Sequence, residues 1–133
     1  MSNVPWEWPN SNVIRVIDGD SIVAHMEKDV IIDCGFHVML TQKVEVTQKL
    51  RLNRINASPA KTVEGIAATL YLTQLVLSVD TVLLETLKIV GAYKYGDEWM
   101  VEVTMPDGSN VSDLMVTNGH AVYWNGEGPR PGG

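Results

Sequence analysis

The chain has 133 residues, of which 45% are hydrophobic and 20% charged, and its formal net charge is −6. That length suits one domain with a single core, and no run approaches the roughly 18 apolar residues of a membrane span. Cys34, the single cysteine, excludes an intrachain disulfide and a cysteine-based zinc site, and the acidic balance disfavours generic nucleic-acid binding, which relies on Lys and Arg.

Residues 1–11 read as an arm. Pro5 and Pro9 bracket Trp6 and Trp8 and should block regular pairing. The two tryptophans either pack on the domain surface or dock a protein partner, because exposed aromatics mark interfaces. The stretch has no basic region followed by an apolar one, so no secretory signal is expected and the expected location is cytoplasmic. Val13–Ile17 is predicted as the first strand. It runs into Asp18-Gly19-Asp20-Ser21, an Asp-Gly turn that sets two carboxylates close together at a strand end. Such a turn is either a solvated hairpin or a seat for a hard cation.

Ser21–Ile32 is predicted as the second strand, bent near Glu27-Lys28-Asp29, with a turn at Asp33-Cys34-Gly35. From Val38 onward the pattern has period two. Val38, Leu40, Val44, Val46, Leu50 and Leu52 alternate with Thr41, Lys43, Glu45, Thr47, Lys49, Arg51 and Asn53. That predicts a long strand, curved or bulged, with one face in the core and one in water. Lys43, Lys49, Arg51, Arg54 and Lys61 face Glu45 alone in this part of the chain, a positive stretch on an acidic body. It is either a phosphate contact or a solvated sheet face.

Ser58-Pro59 ends the strand, and Thr62 is placed to cap a helix from Val63 to about Ser78. Val63, Ile66, Ala67 and Leu70 form its apolar stripe, widened by Leu72, Leu75 and Val76, which predicts a largely buried helix. Asp80–Lys88 and Trp99–Thr104 read as strands, with turns at Lys94-Tyr95-Gly96-Asp97 and Pro106-Asp107-Gly108. Asn110 caps a short helix with Asp113 in capping-box position, and Asn118-Gly119 ends it. Residues 126–133 read as a Gly/Pro tail. Strands and helices follow one another without strict alternation. That predicts an α+β domain built on a small antiparallel barrel.

Five of these motifs, in this order, resemble the staphylococcal nuclease (thermonuclease-like) family over residues 12–125: Asp18-Gly19-Asp20-Ser21; Arg51-Leu52-Asn53-Arg54-Ile55-Asn56-Ala57 before a helix; Lys94-Tyr95-Gly96; Val111-Ser112-Asp113-Leu114; and Gly119-His120-Ala121-Val122. Ile32-Asp33-Cys34-Gly35-Phe36 is similar to the longer hairpin of bacterial and phage members. The resemblance implies a five-stranded antiparallel OB-type β-barrel with two to three helices packed against it. Active members cleave DNA and RNA with calcium. By resemblance, Asp20 and its neighbour Asp18 are metal ligands. Asn56 stands in place of a second carboxylate ligand, and Arg51 is the phosphate-contacting arginine, a remnant of the catalytic pair. A cation and a guanidinium together can clamp a phosphoryl group.

The departures from the family pattern carry as much weight. The glutamate that would activate water falls at Pro59, or at Ala60 with one inserted residue, and neither accepts a proton. The second arginine is replaced by Asp97, with Glu98 beside it. Each such group contributes on the order of 10²–10³-fold to turnover. The expectation is a degenerate, non-catalytic binding or structural module with weak calcium or phosphate affinity. A protein partner or larger assembly, such as a phage particle, would be reached through Trp6 and Trp8, giving a virion location. The alternative is an active calcium-dependent phosphodiesterase with a substituted site. Glu64 is the nearest spare carboxylate, although an acid in the first turn of a helix is favoured by the dipole alone. His25, His37 and His120 have no ligand spacing and are expected in structural roles. Tyr93, Tyr95 and Tyr123 either line the site or pack at the barrel rim.

Overall fold

The computed structural model describes residues 6–59, 61–89 and 98–124. The expected turn at Lys94–Asp97, Tyr93, Ala60 and the tail at 126–133 lie outside these residues. Five strands close a barrel in the order β1 (Trp6–Asp18), β2 (Ser21–Asp33), β3 (Met39–Leu52), β6 (Glu98–Thr104) and β5 (Val82–Ile89), with β1 pairing back to β5. The pairings are antiparallel except β3 with β6, which run parallel through Arg51↔Met100 and Leu52↔Val101, so the barrel is mixed. β4 (Ile55–Ala57) pairs with β7 (Ala121–Tyr123) in a small separate sheet. Two helices, α1 (Val63–Leu77) and α2 (Val111–Thr117), complete an α+β small barrel.

Inward-facing residues of every barrel strand meet the helices in one core. Ile22, Leu52, Leu84, Val101 and Val103 have no exposed surface, and neither do Leu72 of α1 and Met115 of α2. Both helix starts follow their capping residues. The Thr62 hydroxyl accepts the Gly65 N–H at 3.0 Å, and the Asn110 side chain accepts the Asp113 N–H at 3.1 Å. Asp113 does not reach back to complete a capping box; its carboxylate accepts from Arg54 and Tyr123 instead. α2 ends in a Schellman pair, His120 N–H to Met115 O and Gly119 N–H to Val116 O, with Gly119 at φ +78°.

Three expectations are corrected here. First, residues 6–11 are the first half of β1 rather than an arm: Trp6 pairs with Thr86 and Trp8 with Leu84. Pro9 is tolerated because it sits at the register shift between Trp8 and Ser11, where no ladder N–H is demanded, and the Ser11 hydroxyl closes that bulge onto Trp8 O at 2.8 Å. Second, β3 is neither bulged against β2 nor core-facing along its length. The ladder runs unbroken from Ser21↔Arg51 to Asp33↔Met39, and of the even apolar positions only Leu50 and Leu52 are buried. Beyond Glu27↔Glu45 the ribbon projects past the barrel as a two-stranded arm. Third, α1 buries Gly65, Ala68, Leu72 and Val76, so the predicted stripe is rotated, and Val63, Ile66 and Leu70 are exposed. Small residues at 65 and 68 let this face approach the barrel more closely than the bulkier stripe could.

The positive stretch is largely paired with acids. Lys43 lies 3.3 Å from Glu27 and 3.7 Å from Glu45. Arg54, at φ +69°, holds Glu102 through Nε at 2.7 Å and Nη2 at 3.1 Å, and Asp113 through Nη1 at 3.0 Å. The hydrogen bond to Glu102 is the main reason its guanidinium is held still more firmly protonated than usual. Arg54→Ala should lower stability by about 1–2 kcal/mol, the screened worth of a bidentate pair at a half-open site. Arg54→Gly should cost about 1 kcal/mol less than Arg54→Ala, because glycine accepts the left-handed backbone. Urea denaturation of the two variants checks this order.

Candidate functional site

The turn between β1 and β2 is built by packing. Gly19 is buried against the start of the helical layer: a Cβ there would lie 2.7 Å from Ala57 Cβ and 2.8 Å from Ala68 Cβ. The glycine therefore serves a close approach of the turn to β4 and α1. The Asp20 N–H donates to Asp18 Oδ1 at 3.1 Å, and Asp20 O accepts the Leu52 N–H at 2.8 Å, which fixes the turn beside the end of β3. The Asp20 side chain is then aimed inward, and the residue is only 4% exposed.

Arg51, Asp20 and Asn56 meet at this point, with Asp18 on the same turn. Asp20 Oδ2 accepts the Ala57 N–H at 3.0 Å and lies 3.5 Å from Arg51 Nη2. The same Nη2 donates to Asn56 Oδ1 at 3.2 Å. The Ser21 hydroxyl is 3.4 Å from Asp20 Oδ1. Register explains the meeting: Ser21 pairs with Arg51 across β2 and β3, and β4 brings Asn56 back under the turn. Burial, reinforced by the hydrogen-bonded Asp18 carboxyl, pushes the Asp20 acid up to about 6, against the opposing pull of the Ala57 N–H and the Arg51 guanidinium. Arg51 Nε is buried and has no hydrogen-bond partner among the described residues. A buried donor left in this state costs about 1–3 kcal/mol.

The sequence does not single out Trp124 and points to a structural role for His120, yet both stand at the site. The Trp124 ring lies 5.4 Å from the Arg51 guanidinium, and this single aromatic just past β7 had no motif to announce it. His120 lines a cavity of about 120 Å³ together with Asn56, Ser58, Glu64 and Val122. Its ring also stacks on Tyr71 at 4.7 Å. Glu64 therefore opens onto the same small cavity as Asn56. Pro59 is exposed and uses its carbonyl to accept the Thr62 N–H. The Tyr123 hydroxyl donates to Asp113 at 2.9 Å, beside Arg54. Ala60 and Asp97, where the acid and the second arginine of the resembled pattern would fall, lie outside the described residues.

A second group of metal-capable atoms sits on the projecting ribbon. The ligand atoms of His25, Glu27 and Glu45 lie within 4.8 Å of one another. Lys43 bridges the two glutamates, lowering the Glu27 acid and raising its own ammonium, so this pair of carboxylates already has its cation. Among the described residues no helix is long and apolar enough to cross a membrane. No protein-family model matches the chain, and no curated protein shows significant similarity to it.

Proposed function

We propose that the chain is a phosphate- and cation-binding barrel module of the thermonuclease type, retaining the clamp of such a site but lacking rapid phosphodiester cleavage. The observation that carries this reading is the convergence of Asp20 and Asn56 on Arg51, whose buried Nε has no acceptor among the described residues, with Asp18 on the same turn as Asp20. A phosphate oxygen is the natural acceptor for that donor, and the guanidinium offers further donors beside it. The carboxylates and the amide oxygen are hard donors suited to calcium. They supply three of the roughly 6–8 oxygens it prefers, so affinity should be weak, in the millimolar range. When bound, the cation would neutralise charge on the phosphate oxygens. Asp18 and Asp20 would hold it, Arg51 would orient the phosphate, and Ala57 N–H would fix the Asp20 rotamer. Pro59 has no group able to take a proton from water.

Isothermal titration with calcium tests the cation half of this reading. A millimolar dissociation constant in the native protein, weakened at least about tenfold by Asp20→Asn, is the expected result. No heat in either protein would remove the basis for the proposal.

A second reading has one observation in its favour. Glu64 and His120 share the small cavity with Asn56, so a base could reach the clamp from the start of α1 rather than from position 59 or 60. Calcium-dependent nicking of supercoiled plasmid, reduced on the order of 10²-fold by Glu64→Gln, would favour an active enzyme with a substituted site. Under the leading reading, nicking stays at background in both proteins. Trp6 and Trp8 are strand residues, so a protein partner reaching them would meet the barrel wall rather than a free arm.

A further inference from the structure

We propose that this chain assembles head to tail, with the Phe36 tip of one copy inserted into the tryptophan-lined cavity at the barrel mouth of the next. The knob is the end of the β2–β3 ribbon. Phe36 is 98% exposed at φ +56°, held out by a turn in which Gly35 and His37 also have positive φ. Behind it Ile31, Ile32, Val38, Met39 and Leu40 are exposed on both faces of the ribbon. An element that is apolar on both faces calls for insertion rather than for laying one face on a surface. Among the described residues, 28–33 and 39–44 pair only with each other, and a two-stranded ribbon is marginal by itself.

The socket is a cavity of about 330 Å³ bounded by Trp6, Trp8 and Trp99, with Met26, Val46 and Leu50 among its other walls. Its walls brace one another. Trp6 meets Trp99 edge to face at 5.6 Å, and the Trp8 indole N–H donates to the Thr86 hydroxyl at 3.1 Å. A volume of this size accepts one phenyl ring with part of its flanking residues, and aromatic walls favour an aromatic guest. Charge agrees: Lys28 lies over Trp8 at the mouth, 4.1 Å from the ring centroid, and Asp33 stands at the base of the tip.

The tip cannot fill the cavity of its own barrel. Six strand residues separate Met26 in the cavity wall from Asp33 at the tip, roughly 20 Å or more of extended chain pointing away. The guest is a second copy, whose tip supplies the aromatic ring and the acid that the socket and Lys28 match. A lipid surface fits less well, since the tip carries Asp33 without Lys or Arg and the chain has a net charge of −6. Knob and socket are different surfaces, so the contact is heterologous and gives a ring or an open chain. Its small area places the affinity at the weak end, in the micromolar range.

Sedimentation velocity over a concentration series tests this with two variants chosen at exposed positions. Phe36→Ser removes the knob, and Gln48→Trp fills the socket from an exposed wall residue. The native chain should grow beyond a monomer with concentration. Each variant alone should remain monomeric, weakened at least roughly tenfold. The two mixed should form a one-to-one dimer that grows no further, because only one knob and one socket remain. Alkylation of Cys34, exposed beside Phe36, should slow with concentration in the native chain only. A native chain that stays monomeric, variants that still assemble alone, or a mixture that stays monomeric would each overturn the proposal. Unchanged circular dichroism and thermal midpoints in both variants exclude misfolding as the cause.

Discussion

In metal-free buffer above about pH 7, Asp20→Asn should make the protein more stable by about 2–3 kcal/mol. Burial raises the folded-state value of this acid from 3.8 to about 6, so the native protein binds its proton more tightly than the unfolded chain does. Stability from this group is fully present below about pH 4 and is lost as pH rises through about 6. Asparagine reproduces the hydrogen bonding of the protonated acid without the buried charge. The advantage of the variant should therefore shrink toward zero as pH falls to about 4. Glu27, Asp107 and Asp113 are lowered from their ordinary values and act in the opposite sense at the acid end, but they are common to both proteins and cancel in the comparison. Thermal melts in EDTA at a series of pH values measure the difference, which amounts to several degrees for a domain of this size. Equal midpoints at alkaline pH, or a less stable variant, would show that the Asp20 charge is met by the fold itself.

Gly65→Ala should destabilise the protein by at least about 2 kcal/mol, although alanine is the better helix former by about 1 kcal/mol. A Cβ at this position would fall 1.9 Å from the Pro59 carbonyl oxygen and 2.6 Å from its carbon, both backbone atoms. Relief requires α1 to move away from the turn at 58–59. That turn is also its cap: Thr62 N–H and the Thr62 hydroxyl both donate to Pro59 O, and the hydroxyl accepts Gly65 N–H. One methyl thus opposes the capping residue and the seating of Ala68 against Gly19 together. Chemical denaturation compares the variant with a neutral control such as Gln74→Ala, on the exposed side of the same helix. A Gly65→Ala protein as stable as the control would mean that the 58–59 turn yields without loss.

Local signals were legible in the sequence wherever the chain's own chemistry decides the structure. Thr62, Asn110 and Gly119 terminate helices because their side chains or backbone freedom satisfy orphan groups within four residues. Alternation from residue 38 to 52 correctly predicts strand, because period two reports pleating. It does not report what covers the pleat. The apolar outer half of β3 reads the same whether it faces a core or projects into solvent, and it projects. Helix α1 departs from its apolar stripe for a related reason: both of its faces are apolar, and the small residues Gly65 and Ala68, which a hydrophobicity count passes over, mark the buried side. Pro9 suggested a break because a bulge cannot be seen without the partner strand.

At the candidate site, Asp20, Arg51 and Asn56 are separated by up to 36 positions, yet they meet, since the turn, the end of β3 and β4 converge. No motif marks Trp124, and His120 reads as structural from the sequence. They arrive through the two-stranded sheet of β4 and β7, whose short strands leave no periodic trace.

Binding at the clamp and the absence of turnover are both tested by one measurement. Fluorescence anisotropy of an end-labelled single-stranded oligonucleotide is followed over hours with the protein in calcium, with EDTA as the reference. The expected result is a calcium-dependent rise that holds steady, and that is lost in Asp20→Asn and in Arg51→Ala. No calcium-dependent rise would contradict binding at the clamp, and a rise that decays as the oligonucleotide is cut would contradict the absence of turnover.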